Sequence, residues 1–580
     1  MLPAEASRMI QDQHETESES DDARSNISTE DSEDERWHFE LRVDPTEDVC
    51  DDNEENVTPG PSRKRARGQE DTPLSWKTER DGDTAPGHLR FVPAREPGVQ
   101  LSTEDHHTPL SLFKLFFSND AVKTLCRNTN KQAARKIGRG AKYRWVDVGV
   151  PEFYKFIGLI FYMGIIKMKQ ITDYWRKHSI FSVAFPGEMM SRDRYRTILW
   201  NLHMSDPDED LVNDAMRRAS KHDKLFRVKP LMTTIQDACT SFYHPRKDLS
   251  VRQYLKGKPN KWGFKLFVLT DSSNGYTANF NIYTGKNKFP KGHGLPYDSV
   301  MSLTNKSYLG SGYHIYMDDF HTSPKLFKDL YALKFPACGT YRESRSDCPR
   351  SDINALTKDS PRGTIRWIRD GPLLYVKWMD SQEVSVCSTI HAAHGGDTVQ
   401  RRGKNRLGAW SSQAVPCPKP VVEYSKVMGG VDASDQLIQY YTAQHKTVKW
   451  YKKLFFHLLD IAASNAFILH KELMQEMHRK SMTHKEFLEE LCAELCGVSL
   501  ASSQPEKAPP KRTAPVSCMP VCGIDLYTNG SRVSDGRRCC VHCKMQGRQT
   551  KTQWKCDLCD VYLCVQQGRN CFVDWHRDDN

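Results

Sequence analysis

The stretch KLFVLTDSSNGYTANFNIY, residues 265–283, sets two apolar or alternating runs on either side of Asp271-Ser272-Ser273-Asn274-Gly275. Lys265 to Thr270 and Thr277 to Tyr283 have strand character, and the five residues between them are turn chemistry, so the pair predicts a β-hairpin. Further on, YHIYMD at 313–318 predicts a short strand ending on Asp318, and residues 363–390 predict two more around Asp370-Gly371-Pro372. Outward from these strands the period becomes helical. Leu110, Leu112, Phe113, Leu115 and Phe116 fit an amphipathic helix, and Pro151 opens a buried one through Phe153, Phe156, Ile157, Ile160 and Phe161. Ser191 caps a helix whose Tyr195, Ile198, Leu199 and Leu202 point inward, leaving Arg192, Arg194 and Arg196 to solvent or phosphate. After the strands, helices are predicted over Val431–Tyr441 and, amphipathic, over Val448–Leu469. Strands enclosed by helices predict an α/β fold.

At 580 residues the chain exceeds a single core, so several domains are expected. Charged residues make up 27% and interrupt every long apolar run, which excludes a membrane bundle, collagen and a coiled coil. Phe156–Ile166, the longest apolar run, is too short to span a bilayer, and no secretory signal opens the sequence, so an intracellular protein without membrane partners is expected. The net charge of +10 conceals two opposed parts: residues 1–58 hold 20 acidic and 4 basic residues, and the remainder carries +26. A basic body favours a polyanionic partner, and the Ser-, Asp- and Glu-rich tail cannot bury enough surface to order, so residues 1–105 are predicted disordered. Pro61-Ser62-Arg63-Lys64-Arg65-Ala66-Arg67 suits nuclear import.

Half of the 18 cysteines fall between Cys518 and Cys571. Cys540-x2-Cys543, Cys556-x2-Cys559, Cys564, Cys571 and His576 are seven candidate ligands, too many for one tetrahedral ion. An interleaved, cross-brace module with two structural zinc ions is the economical reading, with Cys539 or His542 as candidates for the eighth ligand. Arg537 and Arg538 lie beside it and are candidate DNA contacts, as are Lys449, Lys452 and Lys453 on the later helix.

Taken by themselves, Asp318 is a strand-end loop residue, and Asp432 and Asp435, which share a helix face after Gly429-Gly430, are helix-start caps. The surrounding words change that reading. Phe156-Ile157-Gly158-Leu159, Met163-Gly164-Ile165, Asp173-Tyr174-Trp175, Met190 to Tyr195, Lys258 to Lys265, Tyr316-Met317-Asp318-Asp319-Phe320-His321-Thr322-Ser323 and Gly429-Gly430-Val431-Asp432 resemble, in order and spacing, the piggyBac transposases and the cellular proteins derived from them.

The resemblance implies a ribonuclease H-like core interrupted by a mostly β insertion, flanked by a helical domain for dimerisation and DNA binding. It also implies cut-and-paste chemistry at TTAA sites by three aspartates that hold two magnesium ions. Asp318 matches the second aspartate and Asp432 the third, with Asp435 as a further magnesium ligand. The first is missing: where the family has Asp-Glu after the strand, Leu249-Ser250-Val251 runs into Arg252-Gln253-Tyr254-Leu255. Asp248 has the wrong strand parity, and Asp271 reads as a turn residue.

The expected organisation is therefore a tail at 1–105, helical dimerisation and DNA-binding parts at 106–248 and 441–498, and core segments at 249–345 (first strand truncated) and 422–440. An insertion at 346–421, a linker at 499–535 and a zinc-binding domain at 536–580 complete it. The expected protein is a nuclear, homodimeric binder of double-stranded DNA without catalysis, with magnesium relevant only if it is catalytic. The alternatives are an active transposase and a zinc-module platform for protein interactions.

Overall fold

A computed structural model describes residues 75–577 apart from 178–179, 220, 256–264, 285–292, 346–347, 350–351, 405–409, 446, 448, 499–517, 523–536 and 567. The acidic tail to residue 74, the basic run 61–67, most of the Lys258–Lys265 word and the first part of the linker lie outside the described residues. The chain divides into two compact units, Met1–Val498 and Ser499–Asn580.

The first unit is built on a nine-stranded mixed sheet. Its strands are β1 (Lys77–Thr78), β2 (Asp248–Leu255), β3 (Lys265–Asp271), β4 (Thr277–Ile282), β5 (His314–Met317), β6 (Ala337–Thr340), β7 (Ile365–Asp370), β8 (Leu373–Met379) and β9 (Glu383–Ser388), in the spatial order β1-β7-β8-β9-β6-β5-β2-β3-β4. β2 and β6 run parallel to β5, and every other neighbouring pair is antiparallel. The β3–β4 hairpin forms as its turn residues dictate: the Gly275 amide bonds the Asp271 carbonyl at 2.9 Å, and Gly275 sits at φ 84°, where a side chain is unfavourable.

Alternation sorts the strand residues onto two faces. Phe267, Leu269, Ile315 and Met317 pack on one side with Leu326, Phe327 and Leu330. Leu266, Val268 and Phe280 pack on the other with the helices, next to a third cluster of Tyr316, Trp367, Val376 and Trp378. Both faces of the sheet are covered, as parallel pairing requires.

The helices that matter for the sites are α1 (Asn119–Gly138), α2 (Val150–Ile165), α3 (Arg192–Asn201), α4 (Lys419–Tyr440), α5 (Trp450–Glu476) and α6 (His484–Cys496). The two helical parts share one core: Phe117, Phe156 and Tyr195 pack with Phe455, Leu459 and Phe487. At the sheet edge, the Asn465 side-chain amide of α5 bonds both backbone groups of Thr277, at 2.9 and 3.0 Å, and so satisfies a strand that has no further neighbour among the described residues.

Five expectations are corrected. Residues 75–105 are ordered: Trp76 is 2% exposed, β1 caps the sheet, and Asp83 makes a two-pronged contact with Arg369 at 2.6 and 2.7 Å. Most of these partners are remote in sequence, so composition alone suggested disorder. The insertion at 346–421 does not stand apart, because β7, β8 and β9 continue the core sheet. The first core strand is not shortened, since β2 is eight residues long and is paired on both sides. The Gly429-Gly430 helix begins at Lys419, with Pro418 and Pro420 at its start, so Asp432 and Asp435 lie well inside it and are not caps. Finally, α5 is buried nearly all round from Trp450 to His470 rather than along one stripe, as befits a central core helix.

Candidate functional site

Asp318 directly follows the last residue of β5. Its carboxylate receives a hydrogen bond from His321 Nδ1 at 2.8 Å and a longer one from the His321 amide at 3.3 Å. Burial presses the Asp318 carboxyl upward, but the His321 contacts outweigh it, so the group stays below the usual carboxylate range. His321 is fully buried, its ring 4.9 Å from Phe320 and 5.6 Å from Phe267, and its Nε2 has no hydrogen-bond partner among the described residues. Gly339 of β6 makes room for this turn. A Cβ there would stand 2.3 Å from Thr322 Oγ1 and 2.6 Å from the Met317 carbonyl, so only glycine lets the strand and turn approach so closely. Tyr424 brings α4 alongside: burial, with the Asp318 charge nearby, pushes its phenol up to about 12. Asp432 and Asp435 belong to α4, with side chains outside the described residues.

The register supplies the decisive relation. Asp248 pairs with His314, Ser250 with Tyr316 and Val251 with Met317, where the pairing ends, so Arg252 follows the last pair on β2 as Asp318 follows it on β5. By alternation from Ser250, Arg252 belongs to the face that carries Tyr316. A two-magnesium site needs carboxylates from several elements around the ions. Here β2 carries an arginine directly after its last pair with β5, and the strand-end aspartate is already engaged by His321. This donor set does not fit the metal pair. Asp271 is no substitute. It is fully buried, and its oxygens accept from Tyr243 Oη at 2.8 Å, the Arg246 amide at 2.7 Å, and the Ser273 amide and hydroxyl at 2.8 and 2.6 Å. Asp248, beside His314 Nδ1 at 3.1 Å, lies four positions before Arg252 on β2.

In the second unit the cysteines and histidine gather into two four-ligand clusters. Cys540, Cys543, Cys564 and Cys571 form one, and Cys518, Cys556, Cys559 and His576 the other, with the ligand atoms of each within 4.8 Å of one another. Sulfur separations of 3.5 Å (Cys543–Cys571), 4.0 Å (Cys543–Cys564) and 3.8 Å (Cys518–Cys559) match the roughly 3.8 Å edge of a tetrahedron with metal–sulfur bonds of about 2.3 Å. In each Cys-x2-Cys turn the second amide points at the first sulfur, Cys543 to Cys540 at 3.5 Å and Cys559 to Cys556 at 3.3 Å. His576 Nδ1 bonds the Phe572 carbonyl at 2.6 Å, which orients Nε2 toward Cys559 Sγ at 3.5 Å. The clusters alternate along the chain in cross-brace fashion, and the residues present suit a metal ion in each.

The eighth member of the two clusters is Cys518, not Cys539, which is exposed, nor His542, whose Nε2 faces Gln546. Pro520–Cys522 pairs with Trp554–Cys556, so the module begins inside the expected linker. The excess of cysteines from Cys518 onward was the available signal.

The proposed DNA-contacting cations divide. Lys452 is 4% exposed, and its ammonium bonds the Leu199 and Trp200 carbonyls at 2.7 and 3.0 Å, closing the C-terminus of α3 from the core side. Arg194 is held by Glu152 through two 2.7 Å bonds. Neither is available to phosphate. Lys453 and Lys449 are half-buried, Arg192 is exposed beside Asp193, and Arg196 lies over the Trp200 ring at 4.8 Å. Arg537 and Arg538 are exposed.

Among the described residues, no helix is long and apolar enough to cross a membrane. The family model for Transposase IS4 matches residues 108–467, more than half of the chain. Human PiggyBac transposable element-derived protein 3 is 25% identical over 498 residues, covering 81% of this chain and 76% of that protein. Human PiggyBac transposable element-derived protein 2 is 25% identical over 409 residues, covering 66% and 65%. The cryo-EM structure of a piggyBac transposase synaptic complex with hairpin DNA superposes with a TM-score of 0.58 at 22% identity, covering 81% of this chain and 98% of that one, so the folds are alike. The chain belongs to the piggyBac transposase family.

Proposed function

We propose that this chain is a nuclear, homodimeric DNA-binding protein that has lost strand cleavage and carries two structural zinc ions. The loss of cleavage rests on one observation, the β2–β5 register, which ends at Val251–Met317 and leaves Arg252 as the next residue of β2 where Asp318 is the next after β5. In-line phosphoryl transfer on two metals needs negative charge there to hold the ions. An arginine adds positive charge and donates hydrogen bonds but cannot ligate a cation. The strand order β4-β3-β2-β5-β6, three antiparallel strands followed by two parallel ones, supports reading the centre of the sheet as a ribonuclease H-like core, with Asp318 and Asp432 as remnants of its triad.

DNA as partner is supported by the +26 charge outside the acidic tail and by the DNA-bound state of the solved relative. Zinc suits the second unit because the clusters are made of thiolates and an imidazole, which hard cations disfavour, and because the unit has only a small apolar core of its own. The basic run 61–67 supports nuclear import. Binding of duplex DNA by the purified chain across a salt series tests the partner. Affinity that falls linearly on a logarithmic salt scale supports phosphate contacts, and salt-independent or absent binding contradicts them.

A further inference from the structure

A cleft of about 630 Å³ opens between the loop after α1 and the outer face of α3, and Asp318 does not line it. Its lining includes Tyr143, Arg144, Arg196 and Trp200. Trp200 is 48% exposed, unusual for a tryptophan, and Arg196 stacks on its ring at 4.8 Å. Neither Arg144 nor Arg196 meets a carboxylate among the described residues, whereas the neighbouring acids are engaged: Glu152 by Arg194, and Asp193 by Arg192.

The platform is fixed before anything binds. The Trp200 carbonyl accepts from Lys136 Nζ at 3.1 Å and Lys452 Nζ at 3.0 Å, and Tyr143 Oη donates to Asn201 Oδ1 at 2.8 Å. An exposed aromatic face backed by a guanidinium plane takes a nucleobase by stacking, and an unpaired arginine at the rim takes its phosphate. An acidic peptide would use the cations and leave the tryptophan idle. Duplex DNA keeps its bases stacked inside and would also leave it idle.

We propose that this cleft holds one unstacked nucleotide of a single-stranded DNA segment, its base on the Trp200–Arg196 stack and its phosphate at Arg144. The proposal rests on the reading of the chain as a DNA-binding protein and adds a preference for unpaired DNA.

The test uses the full chain and two fluorescent probes, a blunt duplex and the same duplex with a short oligothymidine overhang. The overhang is expected to tighten binding by about tenfold, the scale of one base–aromatic stack. Trp200→Ala should abolish that gain and leave the blunt-duplex affinity within about twofold, Trp200→Phe should keep most of the gain, and Arg144→Ala should weaken overhang binding alone. Duplex binding with no overhang advantage, or an advantage indifferent to Trp200→Ala, overturns the cleft assignment and leaves the DNA reading standing. Failure to bind either probe at low salt overturns both.

Discussion

Replacing Asp271 by alanine separates its structural role from a catalytic one. Asp271 is fully buried at the end of β3, where it accepts from the Tyr243 hydroxyl, the Arg246 amide and two donors of Ser273. Arg246 continues the network to Glu472 of α5, so the carboxylate ties the hairpin turn to the central helix. A buried donor left without an acceptor costs about 1–3 kcal/mol. Alanine orphans the Tyr243 hydroxyl and the Arg246 amide, so a loss of about 2–6 kcal/mol is expected, against a typical total stability of about 5–15 kcal/mol. Asp271→Asn keeps the shape and one acceptor oxygen and should lose about half as much. Urea unfolding of the full chain, followed by tryptophan fluorescence with and without magnesium, measures this. An unchanged midpoint for Asp271→Ala, or magnesium stabilisation of the wild type that the variant lacks, would refute the reasoning and make Asp271 a metal ligand.

Three further outcomes follow from the same contacts. Cys518→Ser should lower bound zinc from two ions per chain to one, whereas Cys522→Ser and Cys539→Ser should leave it at two, as read by elemental analysis of purified protein. Lys452→Met should destabilise the chain by about 1.5–3 kcal/mol through the Leu199 carbonyl that loses its charged donor, the Trp200 carbonyl keeping Lys136, and should leave the DNA affinity of the folded protein unchanged. His244 is fully buried, and burial, with Arg95 nearby, holds its imidazole down at about 4. Between its unfolded value near 6.5 and that folded value, only the unfolded chain takes up the proton, so stability should fall as pH drops from about 6.5 to 4 and be flat above. The His244→Gln variant should show a shallower slope in melting experiments over that window.

What the sequence made legible was local. The hairpin at 265–283 carries its turn residues within it, and Tyr316–Met317 has the apolar run of a strand covered on both faces. The Cys-x2-Cys spacing announces its geometry without any fold around it. What escaped depended on partners far along the chain. Trp76 and Asp83 are anchored by residues beyond 350, and nothing in their own neighbourhood says so. Cys518 stands 22 positions before the next ligand, outside any knuckle pattern, and joins its cluster only because Pro520–Cys522 pairs with Trp554–Cys556. Lys452 has the sequence context of a surface cation, yet it lies on a helix buried from all sides. The two glycines at 429–430 looked like a helix start because glycine disfavours helix interiors, but α4 runs through them on the strength of its packing against the sheet through Val421 and Val427. The absence of the first aspartate was visible in sequence. That Arg252 directly follows the Val251–Met317 pair required the strand register.

Catalysis is decided at that end of the two parallel strands, and the direct measurement is strand cleavage of DNA carrying transposon ends by the purified full chain in magnesium or manganese. No nicking or excision above the level given by Asp318→Ala is predicted. Metal-dependent cleavage by the wild-type chain that disappears in Asp318→Ala would contradict it, and would mean that another carboxylate completes the site despite Arg252.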